Sequence, residues 1–149
     1  MRWGRLARVV LVAGPIHLSA AASADPARDY VIHCQGCHLV DGSATPGRVP
    51  ALAGSVGRLA RVPEGRAYLA GVPGAANAPL SDAALAALLN WLLLHFDPAG
   101  TPPGFAPYTG EEVARLRRPP LTDVVAARQR VLEALARSEA GAAGPGAVE

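Results

Sequence analysis

The chain of 149 residues contains no lysine, and its one methionine is Met1. Two cysteines are too few for a disulfide-stabilised scaffold, so their spacing has to be interpreted as a motif. Charged residues make up 17% of the sequence and the formal net charge is +2, which argues against a nucleic-acid-binding groove or a polybasic membrane-binding patch. Half of the residues are apolar, which suits one domain with a core of modest size.

The first 24 residues have the composition of a secretory signal peptide. Three arginines precede an apolar stretch over residues 9–22, and Ala22-Ser23-Ala24 forms a small-residue cleavage site. The apolar stretch is shorter than the roughly 20 residues that a membrane-spanning helix needs. We therefore expect cleavage before Asp25, no stable membrane anchor afterwards and a periplasmic location. The cleaved chain would carry eleven arginines and twelve carboxylates, so the basic balance belongs to the leader.

Hydrophobic periodicity in the rest of the chain predicts helices and no strand. The helical candidates are 27–40, ending near the cysteines, then 55–61, 64–70, 83–96, 109–117 and 122–138. The candidate at 83–96 has the strongest pattern, and Ser81 is well placed as its N-cap. Residues 41–80 are rich in glycine and proline, so they resemble a long loop that wraps around a non-peptide group. The predicted fold class is all-α with long loops.

The residues that carry chemistry lie together in the pentapeptide Cys34-Gln35-Gly36-Cys37-His38. A closed zinc site needs four nitrogen or sulfur ligands, and the sequence offers no second pair at a suitable spacing. A thiol oxidoreductase normally places CxxC at a strand-to-helix turn, and no sheet is predicted, although this alternative stays open. Covalent haem attachment explains the whole motif, because two thiols bond the two vinyl groups while the adjacent histidine binds the iron.

Three stretches of residues 26–96 resemble the small class I cytochromes c of bacteria. The first contains Tyr30, the CxxCH motif and Asp41-Gly42. The second, Pro50-x-Leu52-x-Gly54, is similar to the family's loop that packs on the proximal histidine. The third leads from Leu80-Ser81-Asp82 into a helix that resembles the family's C-terminal helix, whose aromatic residue, here Trp91, packs against the N-terminal helix near Tyr30.

This resemblance implies a cytochrome c-like haem domain over residues 25–100, with one covalently attached haem c. Cys34 and Cys37 would hold the haem and His38 would be the proximal iron ligand. The implied function is the transport of single electrons between periplasmic partner proteins, such as a dehydrogenase and an acceptor, without nucleic acid. Residues 101–138 lie outside the resemblance and are expected to form a C-terminal helical extension, with a disordered tail at 139–149.

The sequence departs from the family at the sixth iron ligand, because no methionine lies in the loop before the last haem-domain helix. Asn77 stands at about the family position, although amides bind iron weakly and its alternative role is to form a turn. His95 is a better ligand chemically, but it lies at the end of a helix, where it would instead interact with the helix dipole. His33 adjoins Cys34 and is confined to the proximal side or the haem edge. An open or water-bound iron is the remaining possibility.

Two functions therefore compete: an electron carrier, and a haem protein whose open iron binds or turns over a gas or peroxide. A peroxidase-like enzyme would need a distal side chain that moves protons, and residues 71–80 offer only Asn77. Electron transfer is thus the favoured function. Without a thioether ligand, we expect a lower reduction potential than in a His/Met cytochrome of comparable haem burial.

The extension has arginines along one side of its predicted helices and apolar residues along the other. Two interpretations are open: the helices pack back on the haem domain, or the basic face docks a redox partner.

Overall fold

The computed structural model describes residues 25–142, and the expected signal peptide lies outside them. Seven helices follow in order: α1 Pro26–His33, α2 Val56–Leu59, α3 Pro63–Gly71, α4 Pro73–Ala76, α5 Asp82–Phe96, α6 Gly110–Leu116 and α7 Val124–Ala142. No strand occurs between residues 25 and 142, where the one strand-like feature is an isolated bridge between His38 and Ala44. The predicted all-α class is confirmed. None of these seven helices combines the length and apolar character needed to cross a membrane.

Helix α1, Pro26–His33, begins one residue before the predicted candidate 27–40 and ends seven residues before its predicted end, directly before the first cysteine. The Asp25 carboxylate accepts a hydrogen bond from the backbone N–H of Arg28 at 3.1 Å, and Pro26 occupies the first helical position. The helix ends at His33, and the N–H of Cys34 closes it by donating to the carbonyl of Tyr30 at 2.9 Å. The first cysteine of the motif is therefore fixed by the end of α1.

The glycine- and proline-rich region 41–80 contains α2 and α3, as predicted, and also the single-turn helix α4, which the sequence does not predict. Four residues with the sequence PGAA are too short to show helical periodicity. Gly42 is required near the start of this region, since its φ is +75° and a β-carbon there would overlap the ring of Phe96.

Helix α5 forms the centre of the core. The Ser81 hydroxyl caps it by accepting a hydrogen bond from the N–H of Ala84 at 3.1 Å, as expected. Its buried leucines are Leu85, Leu88, Leu89, Leu92 and Leu93. On another side of α5, Trp91 packs against Tyr30 of α1 with ring centroids 5.6 Å apart. The expected contact between the first helix and this aromatic residue is confirmed.

The C-terminal part packs back on the rest of the chain, α6 against α5 and α7 against α3. The Asn90 side chain links α5 to the segment before α6, because it accepts from the N–H of Tyr108 at 2.7 Å and donates to its carbonyl at 3.0 Å. Helix α7 buries Ala127, Val131, Ala134 and Leu135. These contacts are the packing that one of the two interpretations of the extension predicts. The helix continues to Ala142, so the expected disorder is wrong for residues 139–142, and residues 143–149 lie outside the described part.

Candidate functional site

The CxxCH motif forms a tight turn directly after α1. The N–H groups of Cys37 and His38 both donate to the carbonyl of Cys34, at 3.1 and 3.0 Å. This turn presents two free, partly buried thiols and the imidazole to one side of the molecule. A second contact fixes the end of the turn, since the Tyr30 hydroxyl donates to the carbonyl of Leu39 at 2.6 Å.

The Cys34 thiol does not have the electrostatic environment of a reactive cysteine. Burial, together with the nearby Asp29 and Cys37, raises the pKa of Cys34 to about 11. Reactive cysteines instead have lowered pKa values, because the thiolate is the nucleophile. The raised pKa of Cys34 therefore argues against the thiol oxidoreductase alternative.

A cavity of about 580 Å³ opens beside the motif. This volume lies within the range of ligand pockets, roughly 300–1,000 Å³. Cys34, Cys37 and His38 line the cavity together with largely aliphatic side chains from α2, α3 and α5, which are Val56, Leu59, Leu69, Leu85, Leu88, Leu89, Leu92 and Leu93. The loop residues Pro50 and Leu52 also line it, as the resemblance to the proximal loop implies.

The imidazole of His38 has the properties of a metal ligand. Burial lowers its pKa, so the ring is neutral at neutral pH, which is the form that binds metals. Its Nδ1 atom is buried without a hydrogen-bond partner, and no other side-chain nitrogen or oxygen between residues 25 and 142 shares that condition. A buried polar atom without a partner is rare in folded proteins, which points to a role of His38 beyond packing. The aliphatic walls, paired thiols and neutral imidazole fit a haem.

Protein side chains alone do not assemble another metal site in the described part of the chain. No group of three or more His, Cys, Asp or Glu side chains converges there. Positive charge is available at the cavity from Arg48 and Arg128, and His33 lies at the same lining. His33 lies at the part of the lining that contains Cys34, Cys37 and His38, next to Cys34 in the sequence.

Neither sequence candidate for the distal ligand reaches the cavity. Asn77 is exposed, forms the C-cap of α4 and is not part of the cavity lining, so its role is the turn. His95 is exposed and stacks on Trp91, with ring centroids 4.3 Å apart and planes 14° from parallel, while Phe96 meets its ring edge-on at 4.8 Å. The structure supports neither residue as a distal ligand, because α4 turns Asn77 outward, in keeping with its alternative role in a turn, and the aromatic cluster on α5 holds His95.

The structure adds cavity residues that sequence reasoning missed. Tyr68 of α3 lines the cavity and is 7% exposed. The first turns of α7 contribute Val124, Val125 and Arg128. Local periodicity gives no signal for these contacts, since α7 meets the cavity about ninety residues after the cysteines. The predicted boundary at residue 100 therefore does not separate the extension from the cavity.

Comparison with known proteins identifies two relatives. The chain is 35% identical over 132 residues to cytochrome c-552 of Thermus thermophilus, strain DSM 579, and the match covers 75% of this chain and 88% of that protein. It is 34% identical over 128 residues to another Thermus thermophilus protein named cytochrome c-552, with 72% of this chain and 97% of that protein covered. No family model and no solved structure matches the chain.

Proposed function

The chain belongs to the class I c-type cytochromes, single-electron carriers with covalently attached haem c, and we propose that Cys34, Cys37 and His38 hold its haem. The observation that carries this assignment is the aliphatic cavity lined by both thiols and by an imidazole whose Nδ1 lacks a partner. The bound haem supplies an iron that changes its charge by one electron. Cys34 and Cys37 would hold the haem by adding one S–H each across its two vinyl groups, an addition that has no leaving group.

The surrounding residues position the turn and exclude water from it. The Tyr30 hydroxyl holds the carbonyl of Leu39, directly after the motif, and the α5 leucines close the apolar side. A low-dielectric environment reduces the reorganisation of solvent when the charge of the iron changes, which suits an electron carrier.

The assignment is tested by expressing the chain with a haem-attachment system and measuring intact mass and absorption spectrum. We expect the wild type to carry one haem, Cys34→Ala and Cys37→Ala each to lose one thioether bond, and His38→Ala to lose the native spectrum. His95→Ala is the matched control, because that histidine lies outside the cavity and should leave the spectrum unchanged. A wild-type protein that keeps two free thiols after maturation would contradict the proposal.

We also propose that no methionine occupies the sixth position of the iron. The chain has no methionine after Met1. The segment before α5 that borders the cavity brings only the aliphatic or small residues Val72, Pro73, Gly74, Ala75 and Ala78 to it. This observation favours a second candidate function, in which the iron binds a small neutral molecule such as CO or NO. The part of the lining that residues 71–80 supply contains no His or Arg that would move a proton, so peroxidase-like turnover has less support.

An absorption spectrum of the reduced protein with and without CO separates the two functions. Rapid CO binding supports the open site. A low-spin spectrum that does not respond to CO supports a carrier with a firm sixth ligand.

The location and partner complete the proposal. Residues 1–24 direct export to the periplasm, and the mature chain exchanges electrons with proteins such as a dehydrogenase. The mass of the exported protein should correspond to a chain beginning at Asp25, and recovery of the uncleaved chain would contradict the export signal.

A further inference from the structure

Arg117, which follows α6 as its C-cap, is buried to an unusual degree for an arginine. The residue is 3% exposed, whereas arginines are almost never buried unless their charge is paired. The ion-pair partner of its side chain is Asp82 at 3.1 Å, which is 43% exposed. One partly exposed carboxylate does not by itself compensate for the burial of this charge. The hydrogen bonds of the guanidinium to backbone carbonyls supply the remaining compensation.

Each of the five N–H groups of the Arg117 guanidinium has an acceptor within hydrogen-bonding distance. Nε and Nη2 both donate to the carbonyl of Ala76, at 3.1 and 2.8 Å. Nη2 also donates to the carbonyl of Ala78 at 2.8 Å. Nη1 donates to the carbonyl of Leu80 at 2.9 Å and to the Asp82 carboxylate. The guanidinium therefore binds three backbone carbonyls in one short stretch of chain.

That stretch belongs to the wall of the cavity. Residues 71–80 connect α3 to α5, and five of them line the cavity. Their other end is also held by the C-terminal part of the chain, because the N–H of Leu121 donates to the carbonyl of Gly71 at 2.8 Å. Residues 117–121 thus hold both ends of the 71–80 segment.

Side-chain packing holds this segment only in part, through Val72, Ala75 and Leu80, which pack against the core while partly exposed. Most of its residues are glycine, alanine or proline, which bury little apolar surface. Ala76 and Ala78, which are buried, are bonded to Arg117 through their backbone carbonyls. The backbone hydrogen bonds to the extension therefore supply the polar contacts that hold the wall in place.

We propose that Arg117 is a positioning residue of the haem site, which fixes the 71–80 wall and so limits the access of small molecules to the sixth position of the iron. The inference rests on the proposed haem assignment, because it takes the cavity to be the haem site. The C-terminal extension thereby takes part in the haem site. It does so through Arg117, which lines no part of the cavity and makes no hydrogen bond to the haem-attaching residues.

The test compares Arg117→Gln with Arg66→Gln in the matured, haem-loaded protein. Arg66 also joins the C-terminal part to α3, through Glu112 and the carbonyl of Ala106, but it makes no hydrogen bond to residues 71–80. Arg66→Gln therefore controls for a general loss of stability.

We expect Arg117→Gln to lower hydrogen-exchange protection of the 71–80 amides by about tenfold or more, because several charge-assisted bonds are lost. The CO association rate constant of the reduced protein should rise by about tenfold, since a wall that is no longer held opens more often. Arg66→Gln should change either quantity by less than about twofold. Arg117→Lys keeps the charge but has only three donors, so we expect an intermediate result, and it serves if Arg117→Gln does not mature.

The proposal is overturned if Arg117→Gln leaves protection of 71–80 and the CO rate unchanged, or if Arg66→Gln changes them equally. Failure of the haem assignment is a separate observation, because it appears as missing haem mass in the wild type. Hydrogen exchange at 71–80 can also be measured without haem, so the comparison of Arg117→Gln with the wild type still tests the role of Arg117 in that event.

Discussion

Replacing Glu112 with glutamine removes one negative charge from the contact between α6 and α3 while keeping the size of the side chain. In the wild type, Glu112 accepts hydrogen bonds from Nε and Nη2 of Arg66 at 2.8 and 2.7 Å. The two side chains are 18% exposed for Arg66 and 22% for Glu112, so solvent screens this pair less than a surface pair. The guanidinium also lies 4.0 Å from the ring centre of Tyr108, which keeps it in place in the variant.

A charge-assisted, bidentate pair of this kind stabilises a fold by about 2 kcal/mol. Glutamine keeps one acceptor oxygen, so we expect Glu112→Gln to lose about 1–2 kcal/mol of unfolding free energy. In a domain of this size, such a loss lowers the unfolding midpoint by about 4–10 °C. The matched control is Glu111→Gln, because Glu111 pairs with Arg115 at the surface, where the side chains are 87% and 63% exposed. That exposed pair should contribute less than about 0.5 kcal/mol.

The pH dependence gives a second check on the same pair. The Arg66 hydrogen bonds lower the pKa of Glu112 below its ordinary value. The stabilisation is therefore complete above the ordinary glutamate pKa of about 4.3, and it is lost as the pH falls through the lower pKa of the folded state. Thermal unfolding followed by circular dichroism should show the wild type and Glu112→Gln converge as the pH decreases. Equal midpoints at neutral pH, or a difference that does not shrink in acid, would refute the reasoning.

Three further predictions concern the core, the motif turn and the iron. Leu88→Ala should lower the unfolding free energy in chemical denaturation by about 2–5 kcal/mol, because Leu88 is 1% exposed. Leu94→Ala, at a position 57% exposed, is the control and should lower it by under about 1 kcal/mol. Equal losses in the two variants would contradict this prediction. Tyr30→Phe removes the donor to the carbonyl of Leu39 and should cost about 0.5–1.5 kcal/mol with the haem still attached; loss of haem attachment would mean that the hydroxyl has a larger role. A potentiometric titration should give a midpoint below that of a His/Met cytochrome of comparable haem burial. A value among the high-potential proteins would refute the inference from the missing methionine to a low potential.

The elements that local chemistry determines could be predicted from the sequence. Asp25 and Pro26 start α1, and Ser81 caps α5, in each case through contacts within three or four residues. The leucine pattern of α5 likewise predicts its buried face. For the haem site, the spacing of the CxxCH motif indicates the attachment residues without any knowledge of the fold.

Long-range packing explains what the sequence could not predict. The sequence leaves Asn77 open between an iron ligand and a turn residue, and the fold turns its side chain into solvent. His95 stacks on Trp91, four residues earlier on α5, a spacing that brings helical side chains together. The burial of Arg117 depends on carbonyls about forty residues earlier in the chain. The arginines along one side of the predicted helices indicate a docking face as one interpretation. Arg117 is one of these arginines, yet it is buried inside the fold.

The lining of the cavity by Cys34 and by the first turns of α7 has a consequence for the order of assembly. About ninety residues separate the two contributions, so the cavity is complete only after most of the chain has been synthesised. The entropy cost of closing so long a loop delays the docking of α7 relative to the formation of local helices. The side of the cavity that α7 covers is therefore the last wall expected to close, after the turn that holds the thiols has formed.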